Sequence, residues 1–178
     1  PDLLDLTQLQ KEANIRYGFT ASEVYDIAQS LYEKKLISYP RTSSRYLTED
    51  VLDSLSPIMA RLLSWELFPA AKGTGGIDIS SLSRHVINAE KANVHHAIII
   101  TGIRPGNMSE KEMQVYRLVA GRMLETFMAP CRIETTNVEA VCAAQHFKAE
   151  QTRIIEAGWH DVFMRSDMVP KSGYSVNE

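Results

Sequence analysis

The chain has 178 residues, of which 44% are hydrophobic and 23% are charged, and its formal net charge is −3. This composition excludes wholesale disorder, and the length is sufficient to bury a core without disulfides or metals. No run approaches the roughly 18 apolar residues of a membrane span, which predicts a soluble protein with no membrane partner. The slight acidity argues against a nucleic-acid binder that relies on a broad basic face, but not against a local basic pocket.

The termini and the cysteines bear on the origin of the chain. It begins at Pro1 without an initiator methionine or a leader and ends in a polar run, which predicts a segment of a longer protein. Cys131 and Cys142 have no C-x-x-C partner, which favours reduced thiols in a cytoplasmic protein over a disulfide. A zinc site formed by the two cysteines and His146 is the alternative, although the spacing matches no standard zinc motif.

Two capping boxes predict the first two helices. The first starts at Thr7, with Gly18 ending its helix, and the second starts at Thr20. Apolar residues at helical spacing extend the second helix to about residue 35. Two helices joined by a tight turn and followed by an extended segment are typical of helix-turn-helix and winged-helix domains, which often bind DNA.

The middle of the chain predicts further helices. Thr48 begins a third helix, and Ser56-Pro57 restarts one because proline is favoured at the first helical position. The run AAKGTGG, residues 70–76, predicts a glycine-rich surface linker. A third capping box, at Ser109, opens the strongest apolar stripe of the chain, which Pro130 ends.

The pattern changes after Pro130. Val138, Ala140 and Cys142 alternate with other residues, and a second strand is predicted from about residue 146 to 155 after a short hairpin turn. The predicted fold is therefore mainly α with a small antiparallel β part. A helical, winged-helix-like domain spans 1–130, and 131–178 form part of a second, β domain.

The segment Tyr39-Pro40-Arg41 carries the candidate chemistry. A residue before proline is extended, so the side chains of Tyr39 and Arg41 are predicted to lie on one side, with Cα atoms about 6.5–7 Å apart. A phenol is a weak nucleophile at neutral pH unless a cation stabilises the forming phenolate, and a guanidinium binds phosphate through two hydrogen bonds. The pair therefore predicts attack on a phosphodiester and a phosphotyrosine ester.

Polar neighbours predict further contacts with DNA. Thr42, Ser43 and Arg45 can bind adjacent phosphates; the alternative is a surface loop whose hydroxyls cap the next helix. His95 and His96 open the apolar run 97–100, where successive side chains point to opposite faces, so only one of them enters a given site. A histidine there can donate a hydrogen bond to a phosphate, and the alternative is a packed structural residue.

Five stretches together resemble one family. LYEKKLISYPRTSSRYL and VHHAIIITG resemble the active-site motifs of type IA DNA topoisomerases, and their form is similar to the topoisomerase III branch. Three flanking stretches agree with the same family, and the resemblance spans about residues 3–165. They are LTQLQKEANIRYGFTASEVYDIAQSLYE, VYRLVAGRMLETFMAP and EAGWHDVF.

The resemblance implies roles for individual residues. Tyr39 falls on the nucleophile that cleaves one DNA strand and holds its 5′ end, Arg41 on the arginine that contacts the scissile phosphate, and His95 on the motif histidine. Residues 1–130 would be a helical active-site domain of catabolite-activator-like topology. Residues 131–178 would be part of the arch through which the second strand passes, so that the protein is an isomerase that relaxes or decatenates DNA.

The resemblance also implies what lies elsewhere. Mg²⁺ would be bound by an N-terminal toprim domain of the same chain, with no metal site in these residues, and the isolated chain would be inactive. Single-stranded DNA would be the partner, and the location cytoplasmic and chromosome-associated. Ser43, Val94 and Ile100 depart from the family pattern, which bears on the polar surroundings of the histidine. The alternative function is a winged-helix DNA-binding module without chemistry, in which Tyr39 is a packed aromatic and Arg41 a phosphate anchor.

Overall fold

A computed structural model describes residues 1–65, 67–69, 85–92, 95–143 and 145–163, and the backbone of 173–177. The predicted linker at 70–76 lies outside these residues. The helices are α1 (Leu6–Tyr17), α2 (Ala21–Glu33), α3 (Glu49–Ser64), α4 (Ala89–Ala92) and α5 (Glu110–Phe127). The strands are β1 (Arg132–Cys142), β2 (Gln145–Glu156) and β3 (Gly173–Asn177), and a 3₁₀ helix spans Gly158–Val162.

The starts of α1 and α2 are set by side-chain caps. The carboxylate of Asp5 accepts the Gln8 N–H at 2.7 Å and caps α1. The predicted cap at Thr7 is therefore wrong, because an equally good capping residue lies two positions earlier and leaves Thr7 inside the first turn. The capping box at Thr20 is confirmed with both of its hydrogen bonds, and Gly18 ends α1 with φ of 71°.

Helix α3 is continuous through Pro57, so the predicted restart at Ser56-Pro57 is wrong. Proline removes one backbone hydrogen bond, but it does not end this helix because the apolar residues on both sides of it are buried. These buried residues are Leu55, Ile58, Met59 and Leu62. Thr48 does lie at the N-cap position, although its side chain makes no capping hydrogen bond.

Helix α5 lies at the centre of the molecule. The capping box between Ser109 and Glu112 is confirmed, and the helix ends at Phe127, three residues before Pro130. Twelve of its residues are buried, including the ion pair between Arg122 and Glu125. From Val115 onward the helix is buried around most of its circumference, as expected of a central helix rather than of a surface helix with one apolar face.

Within the part of the chain that the structure describes, isolated β-bridges join extended segments that lie between the helices. Ile98 pairs antiparallel with Leu4, and Ile100 pairs antiparallel with Ile37. The apolar run 97–100 therefore lies between the N-terminal segment and the segment that leads to Tyr39. This arrangement brings the residues after α2 next to the histidine pair.

The predicted hairpin is confirmed. β1 and β2 pair antiparallel from Arg132 with Glu156 to Cys142 with Gln145. β3 adds a third strand beside β2, which the polar pattern near the C-terminus did not predict. Cys131 and Cys142 are free thiols at opposite ends of the 11-residue β1, about 36 Å apart in extended geometry. That distance excludes both a disulfide and the alternative zinc site formed by the two cysteines with His146.

The chain returns to the helices after β2. Val162 joins the hydrophobic core, and Phe163 packs over Gly121 of α5. The fold class, mainly helical with a small antiparallel sheet, is confirmed. The division into 1–130 and 131–178 stays a prediction. Within the described ranges, no helix has the length and apolar character required to cross a membrane.

Candidate active site around Tyr39

Tyr39 follows a short paired segment at the end of α2. The Ser38 N–H donates to the Ile99 carbonyl at 2.8 Å, and the Ser38 hydroxyl accepts the Ile99 N–H at 3.0 Å. The chain then bends at Pro40, whose ring is buried, and continues without helix or strand to residue 46. Tyr39 is therefore fixed at its backbone while its side chain stays partly exposed.

The ring of Tyr39 lies between two other rings. Tyr32 of α2 contacts it edge-on with a centroid distance of 5.4 Å, and the imidazole of His95 lies 4.4 Å away at 45°. His95 is exposed and Tyr39 is only partly buried. The phenol is therefore supported by aromatic contacts without being sealed in the core.

Arg41 lies over a second tyrosine of α2. Its guanidinium carbon is 5.0 Å from the centroid of the Tyr25 ring. Tyr25 and Tyr32 are seven residues apart, so they lie about 20° apart around the helix axis and about 10 Å apart along it. Tyr39 and Arg41 thus both pack against one face of α2, as their predicted common orientation requires.

Thr42 is buried and joins this segment to the histidines. Its hydroxyl donates to the backbone carbonyl of His95 at 2.9 Å and accepts the Ser44 N–H at 3.0 Å. Ser44 is also buried, and its hydroxyl donates to the Lys91 carbonyl at 2.9 Å. These bonds position the backbone at His95, and the predicted contact of Thr42 with DNA stays a prediction.

Arg45 is held by the N-terminal segment. Its Nε donates to Asp5 at 2.8 Å, and one terminal nitrogen lies 3.8 Å from a carboxylate oxygen of Asp2. The hydrogen bond with Asp5 raises the pKa of the guanidinium. Ser43 is exposed, and it lies with Arg45 at the wall of an open cavity of about 310 Å³. The predicted DNA contacts of Ser43 and Arg45 are not tested by these distances.

The two histidines have different surroundings. The ring of His95 faces Tyr39, whereas Nδ1 of His96 donates to the carbonyl of Ala97 at 2.7 Å. His96 is also less exposed than His95. The structure therefore brings together Tyr39 and His95, and it engages His96 in a local backbone contact.

One cation near the site is paired with a carboxylate of α5. Lys34 forms a 2.5 Å ion pair with Glu112 of α5, and the Ser30 hydroxyl donates to the same carboxylate at 2.7 Å. The hydrogen bond from Lys34, followed by that from Ser30, lowers the pKa of Glu112 to about 2. The positive charge of Lys34, five residues before Tyr39, is therefore largely offset by Glu112.

Among the residues that the structure describes, no three or more His, Cys, Asp or Glu side chains gather closely enough to hold a metal ion.

Two residues of this site were missed in the sequence. Tyr25 and Tyr32 form the face against which Arg41 and Tyr39 pack, and Tyr32 had been noted only as part of a motif. Their seven-residue spacing in α2 was a signal that they share a helix face. It did not identify which extended residues would lie against them.

The comparisons with known proteins agree with this geometry. A family model described as DNA topoisomerase matches residues 1–175. The chain belongs to the DNA topoisomerase family. The resemblance to type IA topoisomerases, predicted from the motifs around Tyr39 and His95, is confirmed.

Curated relatives of this topoisomerase chain point to one branch. DNA topoisomerase 3 of Shouchella clausii is 37% identical over 166 residues, which cover 89% of this chain and 22% of that protein. DNA topoisomerase 3 of Bacillus subtilis is 36% identical over 168 residues, which cover 92% of this chain and 23% of that protein. The predicted topoisomerase III branch is therefore confirmed, and the chain spans less than a quarter of the length of these relatives.

A solved structure has the same fold. Full-length topoisomerase I from Thermotoga maritima superposes with a TM-score of 0.64 at 23% identity, over 93% of this chain and 27% of that one. At this identity the likeness is one of fold. The helical part and the small sheet therefore form an arrangement known from a topoisomerase.

Proposed function

We propose that the whole protein cleaves and rejoins one DNA strand through a covalent bond to Tyr39, and so changes DNA topology by strand passage. The observation that carries the proposal is the partly exposed ring of Tyr39 beside His95, on the α2 face that also holds Arg41. Family membership supports it. The reaction is an isomerisation, because each cleaved bond is restored.

The proposed step exchanges one phosphate ester bond for another, so the number of ester bonds stays the same. The Tyr39 oxygen bonds to phosphorus as the bond from phosphorus to the 3′ oxygen breaks, which leaves a free 3′ hydroxyl and a 5′ phosphotyrosine. The phenol gives up its proton and the leaving 3′ oxygen gains one. Attack by the 3′ hydroxyl reverses both changes, so rejoining needs no external energy source.

Arg41 and His95 would act on the non-bridging oxygens. The guanidinium is permanently charged and can donate two parallel hydrogen bonds to a phosphate, and it lies at the surface where a strand can reach it. His95 lies beside the attacking group and can donate one hydrogen bond to the same phosphate. Both groups stabilise negative charge as the five-coordinate phosphorus forms.

Neighbouring residues would guide the strand. Ser43 and Arg45 line an open cavity next to the site, which supports contacts of these two residues with adjacent phosphates. Thr42 supports the site through the His95 carbonyl, and its direct contact with DNA is part of the same proposal. His96 is proposed to contact the strand only after it leaves the Ala97 carbonyl.

The rest of the proposal concerns the parent protein. Mg²⁺ would be held by a toprim domain outside these residues, and the chain alone would be inactive. Residues 1–130 would be the active-site domain and 131–178 part of an arch, in a cytoplasmic, chromosome-associated protein. The exposure of every residue of β1, in contrast with the burial of α5, supports a change of domain near residue 130.

The second candidate is DNA binding without chemistry. The contacts of the Tyr39 ring with Tyr32 and His95 favour it, because packed aromatics make the same contacts. The two functions differ in one measurement on the whole protein. A 3′-labelled single-stranded oligonucleotide, incubated with Mg²⁺, should become covalently attached to wild type.

Tyr39→Phe is the matched variant because it keeps the ring and its contacts and removes the nucleophilic oxygen. We expect it to bind the oligonucleotide and to form no covalent adduct. Equal adduct formation by the phenylalanine variant would exclude Tyr39 as the nucleophile. If wild type also bound the oligonucleotide and formed no covalent adduct, the result would favour the DNA-binding module without chemistry.

A further inference from the structure

The cations next to Tyr39 are held in two different ways. Arg45 is bound by carboxylates, with its Nε donating to Asp5 at 2.8 Å. Arg41 instead lies over the Tyr25 ring at 5.0 Å. In the part of the chain that the structure describes, Arg41 makes no ion pair and donates no hydrogen bond to a protein acceptor. Its N–H groups therefore remain available to a ligand.

An aromatic ring suits an arginine that must bind phosphate. The face of the ring attracts the cation through its quadrupole, while the N–H donors lie in the guanidinium plane and point outward at its edge. A carboxylate would occupy two of these donors and offset the charge. The Tyr25 ring restricts the orientation of Arg41 and leaves both its N–H donors and its positive charge available.

Tyr25 is itself on a rigid support. It lies in α2 between Val24 and Ala28, both of which are fully buried, and its own side chain is partly buried. The same helix presents Tyr32 to Tyr39 two turns later. One helix face thus sets the positions of both the proposed nucleophile and the proposed phosphate ligand.

We propose that Tyr25 is a positioning residue for the cleavage reaction: its ring orients the Arg41 guanidinium toward the phosphate that Tyr39 attacks. This inference rests on the proposed function. Tyr25 does not touch the substrate in this proposal, so its contribution is made through Arg41. It should depend on the electron density of the ring rather than on the tyrosine hydroxyl.

The test is single-turnover adduct formation by the whole protein with a 3′-labelled single-stranded oligonucleotide and Mg²⁺. Tyr25→Phe should keep the rate within about twofold. Phenylalanines with one, two and three ring fluorines at position 25 keep the shape of the ring and progressively weaken its attraction for a cation. We expect the rate to fall stepwise along this series, by about 2- to 30-fold in total.

The same series in an Arg41→Gln background separates positioning from packing. With no cation over the ring, fluorination should leave the slower rate unchanged. A fluorinated series with a constant rate in the wild-type background, or an equal decline in both backgrounds, would overturn the inference. Failure of the proposed function is recognised separately, because wild type would then form no adduct or Tyr39→Phe would form it equally well.

Discussion

The buried hydroxyl of Thr42 donates a hydrogen bond to the backbone carbonyl of His95 across 53 positions of the chain. It also accepts the Ser44 N–H. A single side chain therefore joins the segment of the proposed nucleophile to the segment of the proposed phosphate donor.

Thr42→Val should damage both stability and cleavage. Valine has nearly the same shape but leaves the His95 carbonyl and the Ser44 N–H without their partner, which costs about 1–3 kcal/mol of unfolding free energy. Denaturant unfolding measures the stability, and adduct formation by the whole protein measures cleavage. Thr42→Ser, which keeps the hydroxyl, is the control. A valine variant as stable and as fast as the serine variant would contradict the bridging role.

Arg41→Lys should slow adduct formation by more than tenfold at unchanged net charge. Lysine keeps the positive charge but loses the planar fork that binds two phosphate oxygens. Arg132→Lys on β1 is the control, because that arginine pairs with Glu156 on the exposed hairpin. Equal rates for wild type and Arg41→Lys would show that Arg41 serves only as a point charge.

Glu112 should make stability depend on pH in the acid range. Lys34 and Ser30 lower the pKa of its carboxylate from 4.5 to about 2. Because the folded state lowers the pKa, the stabilisation is complete above about pH 4.5 and is lost as pH falls toward 2. Glu112→Gln should lower the unfolding free energy by on the order of 1 kcal/mol at pH 7.

The difference between Glu112→Gln and wild type should shrink when unfolding is repeated between pH 4.5 and 2.5. Glu110→Gln is the matched control, since this exposed glutamate lies in the same first turn of α5. A constant difference at all pH values would mean that the ionised form of Glu112 is not what stabilises the fold.

Gly121→Ala should loosen the packing of the 3₁₀ helix on α5. A Cβ at this position would overlap the far edge of the Phe163 ring. The ring is also held by Arg16 at 4.4 Å and by Phe68 at 5.7 Å, so it cannot move without breaking these contacts. We expect a loss of about 1–3 kcal/mol in unfolding free energy. Gly106→Ala, with open space around it, should change stability little.

Tyr116→Phe should be neutral or stabilising. The ring is fully buried in α5, its hydroxyl has no hydrogen-bond partner among the described residues, and burial raises the pKa of the phenol. Removing an unsatisfied buried hydroxyl removes its desolvation cost. Thermal unfolding measures the effect, with Tyr116→Leu as the control that should destabilise by leaving a cavity. A clearly less stable phenylalanine variant would reveal a partner for the hydroxyl.

Local signals predicted much of this fold. The capping boxes at Thr20 and Ser109 were found because each needs only residues three positions apart. Thr7 was mistaken for a cap because nothing within three residues distinguishes it from Asp5, whose carboxylate also binds the distant Arg45. Continuity of α3 through Pro57 depends on tertiary burial, which no local pattern contains.

The site was predictable only in part for the same reason. The extended geometry before Pro40 placed Tyr39 and Arg41 on a common side, and the motif placed His95 near them. Their contacts with the tyrosine rings of α2 depend on how the extended segment packs against that helix. This packing is a long-range property that local sequence patterns do not contain. The third strand, Gly173–Asn177, was likewise missed because its pairing with β2 joins residues that lie 23 to 31 positions apart.

The two ends of the β1–β2 hairpin meet at its base. Arg132 pairs with Glu156, and the Trp159 N–H donates to the Ala129 carbonyl at 2.9 Å. The loop at the far end can consequently be lengthened, exchanged or labelled without altering the spacing at the anchor. A fluorophore on the exposed thiol of Cys142 would then report contacts of the far end of the hairpin through a change in its emission, without altering the geometry around Tyr39.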